Sequence, residues 1–162
     1  MKIRAARTFD EEATNFLNVD LDIFSKSRLE KLVAAFGNAI SVLYVGREGS
    51  RYSAHLELGQ YFGKDADSEV KALTALVRRL PTSARRIWEN AQTKDFNIGI
   101  QGGIRPHYSE FPLKAKTLGE VARLGARVVI TVYAAETKSA YSTKRKIRKR
   151  GKRTPSRNRG FA

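Results

Sequence analysis

Asp20 and Asp22 stand two residues apart in the segment Asn15 to Ile23, and His55 and Glu57 stand two apart in Arg51 to Leu58. In an extended chain that spacing puts both members of each pair on one face. Carboxylates gathered with a histidine have two familiar uses: holding a divalent cation, or moving protons as general acid and base. Their surroundings favour a simpler reading. Both pairs alternate with apolar residues, as on the wet face of an antiparallel sheet, where polar cross-strand pairs add modest stability. Asp20, Asp22, His55 and Glu57 are therefore read first as that wet face, with an acidic, flat protein-interaction face as the candidate functional use. No catalytic residue, metal ligand or cofactor is assigned to them.

A second group of residues is chemically plainer. The last 25 residues, Lys138 to Ala162, carry eleven Lys or Arg and no Asp or Glu, supplying +11 of the formal +15. The preceding 137 residues hold 20 basic and 16 acidic side chains, so the body is nearly balanced. Ten of the cations lie in residues 144–159: Lys144, Arg145, Lys146, Arg148, Lys149, Arg150, Lys152, Arg153, Arg157 and Arg159. Facing a phosphate backbone, such charges release condensed counterions and bind. Six of the ten are Arg, whose planar fork can donate two hydrogen bonds to one phosphate.

From Thr143 onward there is too little apolar surface to offset the entropy of ordering, so residues 138–162 are expected to form a disordered basic tail. Nucleic acid is the expected partner, bound without sequence preference and with strong salt dependence. Two other readings stay open: Lys144 to Arg153 as a nuclear import signal in a eukaryotic source, and contact with an anionic membrane or acidic protein. The tail lacks the apolar side chains of an interfacial helix, and no aromatic interleaves the run to stack on bases. It could also fold back on the acidic sheet face in a self-inhibitory contact.

The elements that must position these groups follow from periodicity. Leu17, Val19, Leu21 and Ile23 alternate with Asn18, Asp20 and Asp22, predicting a half-buried strand. Ser25 or Ser27 is placed to cap a short helix carrying Leu29, Leu32, Val33 and Phe36, with Gly37 as its stop. Ala39 to Val45, apolar and β-branched, predicts a more deeply buried strand. The turn Gly46-Arg-Glu-Gly49 then returns the chain as Arg51 to Leu58. Asp65 or Asp67 opens a helix that ends before Pro81, and Thr82 or Ser83 opens another carrying Ile87 and Trp88. Strand Phe96 to Gln101 follows, then a loop from Gly102 to Pro112 with room for a short edge strand. A helix from Thr117 to Leu124, stopped by Gly125, leads to a last strand, Arg127 to Tyr133.

This order predicts an α+β fold: residues 15–137 as a single domain after a 14-residue lead-in, with a mostly antiparallel sheet and helices on one face. The steps Leu32-Val-Ala-Ala-Phe-Gly37 with Ile40 to Tyr44, and Glu120-Val-Ala-Arg-Leu-Gly125 with Val128 to Tyr133, echo each other. A duplicated split β-α-β unit of that kind would give a ferredoxin-like sheet, with the first and third strands adjacent. On its polar face would lie Asn18, Asp20, Asp22, Ser53, His55, Glu57, Asn97, Gln101, Thr131 and Tyr133.

Size and composition set outer limits. A domain of this length buries roughly two thirds of its unfolded surface and folds without staples. There is no cysteine, which excludes disulfides and thiolate zinc sites and suits a reducing compartment. The first residues lack a signal-peptide apolar core, and no apolar run approaches the roughly 20 residues of a membrane span. A cytoplasmic location is expected, or a nuclear one in a eukaryote. Several motifs fail their context: Gly46-Arg-Glu-Gly49 joins strands, not the helices a KH loop requires, and Gly99 to Gly103 lacks phosphate-binding spacing. His107 sits alone in the long loop. The pairs Arg78-Arg79 and Arg85-Arg86 read as exposed helix charges that could extend a basic surface.

Phe-Asn-Ile-Gly-Ile from Phe96, the polar loop, Pro-Leu, the helix Leu-Gly-Glu-Val-Ala-Arg-Leu-Gly-Ala and the strand Val-Val-Ile-Thr-Val-Tyr133 together form a longer pattern. It resembles bacterial α+β domains of unknown function, some of them immunity-like proteins found beside toxin genes, and Asn18 to Tyr44 looks like its first half. The resemblance covers most of residues 15–134 and rests on hydrophobic pattern and two glycines. It implies a protein-interaction role and no catalytic residues. The basic tail departs from it. Together these features predict a non-enzymatic protein that binds nucleic acid or a nucleoprotein through its tail, with the sheet face as the alternative interaction site.

Overall fold

In the computed structural model, which describes residues 12–59 and 65–135, the first alternating segment forms strand β1 (Asn15–Ser25). Val19, Leu21 and Ile23 are fully buried on one side of it. Burying a Leu or Ile side chain contributes roughly 1.5–3 kcal/mol, so this face decides which way the strand sits. A bulge between Phe16 and Asn18 interrupts the alternation. As a result Phe16, and not the expected Leu17, packs against the core at that end.

The remaining elements follow in the expected order: α1 (Glu30–Ala35), β2 (Ile40–Glu48), β3 (Arg51–Leu58), α2 (Ala66–Arg78), α3 (Thr82–Asn90), β4 (Thr93–Gln101), α4 (Ala115–Arg123) and β5 (Arg127–Tyr133). The sheet order is β2-β3-β1-β4-β5. All neighbours are antiparallel except β4 and β5, which run parallel. Leu32, Val70, Leu73, Val77, Trp88 and Val121 bring the helices onto the face that carries Leu21, Leu56 and Ile98. The chain is thus an α+β domain with one mostly antiparallel sheet and its helices on one side. Among the described residues no helix is long and apolar enough to cross a membrane.

The helix boundaries refine three expectations. Asp65 caps α2 through a reciprocal pair with Ser68. By contrast α1 starts after Leu29 and uses no side-chain cap, while Ser25 instead accepts from the Ser27 amide within the turn. Thr82 is inside α3, because Pro81 occupies the cap position and its fixed φ suits the entry to a helix. Among the described residues the long loop forms only an isolated bridge, Ala13 to Arg105, in place of an edge strand.

A larger correction concerns the two apolar strands. Ala39 to Val45 was expected to be deeply buried, yet β2 is an edge strand with Val42, Leu43 and Tyr44 exposed. β5 is the opposite edge. The two helix–glycine–strand steps are alike locally: Gly37 and Gly125 both take positive φ, 59° and 63°. They enter the sheet differently, since β2 pairs antiparallel with β3 and β5 pairs parallel with β4. A duplicated split unit by itself does not supply this fifth, parallel strand.

Candidate functional site

The face of the sheet away from the helices brings the four predicted residues together. β1 lies between β3 and β4, and its register sets Asp22 opposite His55 on one side and Asp95 on the other. His55 Nδ1 lies 2.7 Å from Asp22 Oδ1. Asp22 Oδ2 accepts from the Asn97 amide at 3.1 Å, and Asn97 Oδ1 accepts from the Thr131 hydroxyl at 2.7 Å. One chain of polar contacts thus runs from β3 through β1 and β4 to β5. Because every member has a partner, the contacts hold one another in place.

Asp20 and Glu57 form the neighbouring patch. Asn18 Nδ2 donates to Asp20 Oδ1 at 2.8 Å and reaches Glu57 Oε2 at 3.5 Å. Burial pushes the Asp20 carboxyl up to about 6, with the negative charges of Asp22 and Glu57 adding to the rise. His55 and the Asn18 hydrogen bond oppose it. At neutral pH the patch is still mainly anionic. Asp95 differs, since Arg127 grips it with two hydrogen bonds of 2.8 Å each.

Four contributors were not anticipated. Phe24 continues the alternation of β1 beyond Ile23 and meets the His55 ring edge-on at 5.6 Å. The guanidinium of Arg51 lies over Phe24 at 4.0 Å from the ring centre. Tyr44 and Glu48 also reach His55, at 6.0 Å between ring centres and at 3.9 Å from Nε2 to Oε1. A bulge between Val42 and Tyr44 sets Tyr44 opposite His55, and the strict alternation of sequence cannot reveal that shift. The Phe24 position was legible, had the alternation been extended by one step.

The chemistry available here is limited. No hydroxyl among the described residues is hydrogen-bonded to His55. No three His, Asp or Glu residues among those described are grouped to hold a metal ion. What the face offers is a set of hydrogen-bonded carboxylates framed by aromatic rings.

The other singled-out residues have structural roles. Trp88 is buried and donates from its indole nitrogen to the Leu124 carbonyl at 3.0 Å. Gly103 allows a close backbone crossing: a Cβ there would lie 2.3 Å from the Ala13 carbonyl carbon. Glu48 and Arg51 face each other across Gly49 and Ser50, so the hairpin turn is those two residues, while Gly46 to Glu48, expected in the turn, are paired within β2. Arg78 pairs with Glu120 at 3.2 Å, and Arg85 donates to the Arg78 carbonyl at 2.6 Å. His107 is exposed. The ten basic residues from Lys144 to Arg159 lie outside the described residues.

Compared with protein-family models, curated proteins and solved structures, the chain matches none of them.

Proposed function

We propose that this is a non-enzymatic accessory protein that binds nucleic acid, or a nucleoprotein, through its basic C-terminal segment. The observation that carries the reading is the partition of charge: +11 of the formal +15 falls in the last 25 residues, attached to a nearly balanced body. A cationic segment of that density gains affinity by releasing counterions from a phosphate backbone and needs no built pocket. The body supports the same division of labour, because its sheet face is anionic and would repel phosphate. The absence of cysteine fits a cytoplasmic setting, or a nuclear one in a eukaryote.

The test is titration of nuclease-treated full chain against labelled RNA and duplex DNA. A full-length variant with Arg148, Lys149, Arg150, Lys152 and Arg153 all changed to Gln serves as comparison. The variant is expected to lose most of the affinity for both. Undiminished binding would remove the tail from the account.

A second reading draws on the sheet face. Asp20, Asp22, His55 and Glu57 would dock a cationic partner protein in an immunity-like interaction. It is favoured by the way Asp22 holds His55 and Asn97 at once, which fixes an acidic surface in advance of binding. Partner capture that survives Asp20→Lys combined with Asp22→Lys would eliminate this face.

A further inference from the structure

The chain's two most continuously apolar strands are the two edges of its sheet, and those edges are treated differently. Sheet edges are ordinarily blunted by bulges, charges or proline, because their free N–H and C=O groups recruit other strands. β2 carries a bulge at Leu43. β5 carries no such device. It pairs with β4 in unbroken register over all seven residues, and from Val128 to Tyr133 it contains neither a charge nor a proline. Among the described residues no strand lies on its outer side.

The side chains of β5 add a second anomaly. Ile98 and Ile100 on β4 are buried beneath the helices, yet Ile130 and Val132, in register beside them, are 62% and 63% exposed. The core face of the sheet therefore continues past its helical cover. Leu118 of α4 is exposed as well.

We propose that β5 is the self-association edge of this protein: two copies join antiparallel through β5 about a two-fold axis normal to the sheet. Such an axis keeps the helices of both copies on one side, so residues facing across the junction must share a face. A register centred on Ile130 meets that condition. It sets Ile130 against Ile130, Val128 against Val132, Val129 against Thr131 and Arg127 against Tyr133. The pairs are β-branched against β-branched throughout the centre, with an arginine beside an aromatic ring at each end and no like charges opposed.

The self-matching register points to a second copy as the occupant, and charge selects the orientation. The chain leaves β5 toward a segment with eleven basic residues. Antiparallel pairing sends the two cationic segments off opposite ends of the shared edge, whereas parallel pairing would crowd them together. The inference stands whether or not that segment binds nucleic acid. If it does, the dimer presents two cationic arms, and the second binding step becomes intramolecular.

The natural lack of cysteine gives a direct test on the full chain, nuclease-treated and in high salt. Facing residues of an antiparallel pair have Cα atoms about 4.5–5.5 Å apart, within disulfide reach. Ile130→Cys should oxidise to a covalent dimer, while Leu43→Cys on the opposite edge should not. In sedimentation, wild type should approach twice the chain mass as concentration rises, and Ile130→Lys with Val132→Lys should halve it with an unchanged circular dichroism spectrum. Wild type that stays monomeric overturns the proposal. So does a dimer that survives both lysines, or Ile130→Cys cross-linking no better than Leu43→Cys. The cysteine comparison decides the matter if the lysine variant fails to fold.

Discussion

The Asp22 carboxylate and the His55 ring face each other across β1 and β3 at 2.7 Å, while the second oxygen of the same carboxylate accepts from Asn97 on β4. A single side chain therefore ties three strands on the face opposite the helices. Removing it leaves a half-buried amide and imidazole without their acceptor, which typically costs about 1–3 kcal/mol. Asp22→Ala should lower the urea midpoint by a corresponding amount. It should also lower the Asp20 titration followed by NMR, because the Asp22 charge helps to raise it.

Asp20 gives the domain a pH dependence of opposite sign to that of a salt-bridged carboxylate. Its carboxyl is raised from 3.8 to about 6, mainly by burial. Between those values the folded state binds the proton more tightly than the unfolded chain. Stability from this group is thus present below the unfolded value and is lost as pH rises through 6. The side chain is only partly buried, so after allowing for solvent screening the effect is on the order of 1 kcal/mol. Asp20→Asn should be more stable than wild type at neutral pH by about that amount. The advantage should vanish in acid, as a series of unfolding curves across pH would show.

Two glycines should respond oppositely to the same change. A Cβ at Gly103 would collide with the Ala13 backbone at 2.3 Å, so Gly103→Ala must displace the crossing that positions the N-terminal end of β1. Gly119 lies inside α4, where an added methyl group would meet nothing within 4 Å, and alanine there gains helix propensity. Gly119→Ala should raise stability by roughly 0.5–1 kcal/mol, and Gly103→Ala should lower it. Thermal unfolding of the two variants side by side checks both signs.

How far the sequence foretold these features depended on whether the backbone kept its period. β1 and β3 alternate regularly around Asp22 and His55, so their meeting on one face could be read directly. The bulges at Leu17 and Leu43 could not, and each altered a residue's role: Phe16 entered the core side, and Tyr44 arrived beside His55. Apolar runs also misled. Ile40 to Val45 and Val128 to Val132 look like buried strands, but hydrophobicity along a strand does not say whether a neighbour or a helix covers it. Only the sheet order reveals both as edges. Local stop signals were more dependable, since Gly37 and Gly125 end their helices for a backbone reason that no tertiary contact has to supply.

The most direct test of the central claim is the slope of log affinity against log salt for duplex DNA, measured on the full chain and on the five-glutamine tail variant. Each phosphate contact contributes about 0.9 to that slope. If the tail is the contact segment, removing five of its cations should flatten the slope by up to about 4.5, with at most minor change in the unfolding curve. Equal slopes and equal affinities for the two proteins would contradict the account.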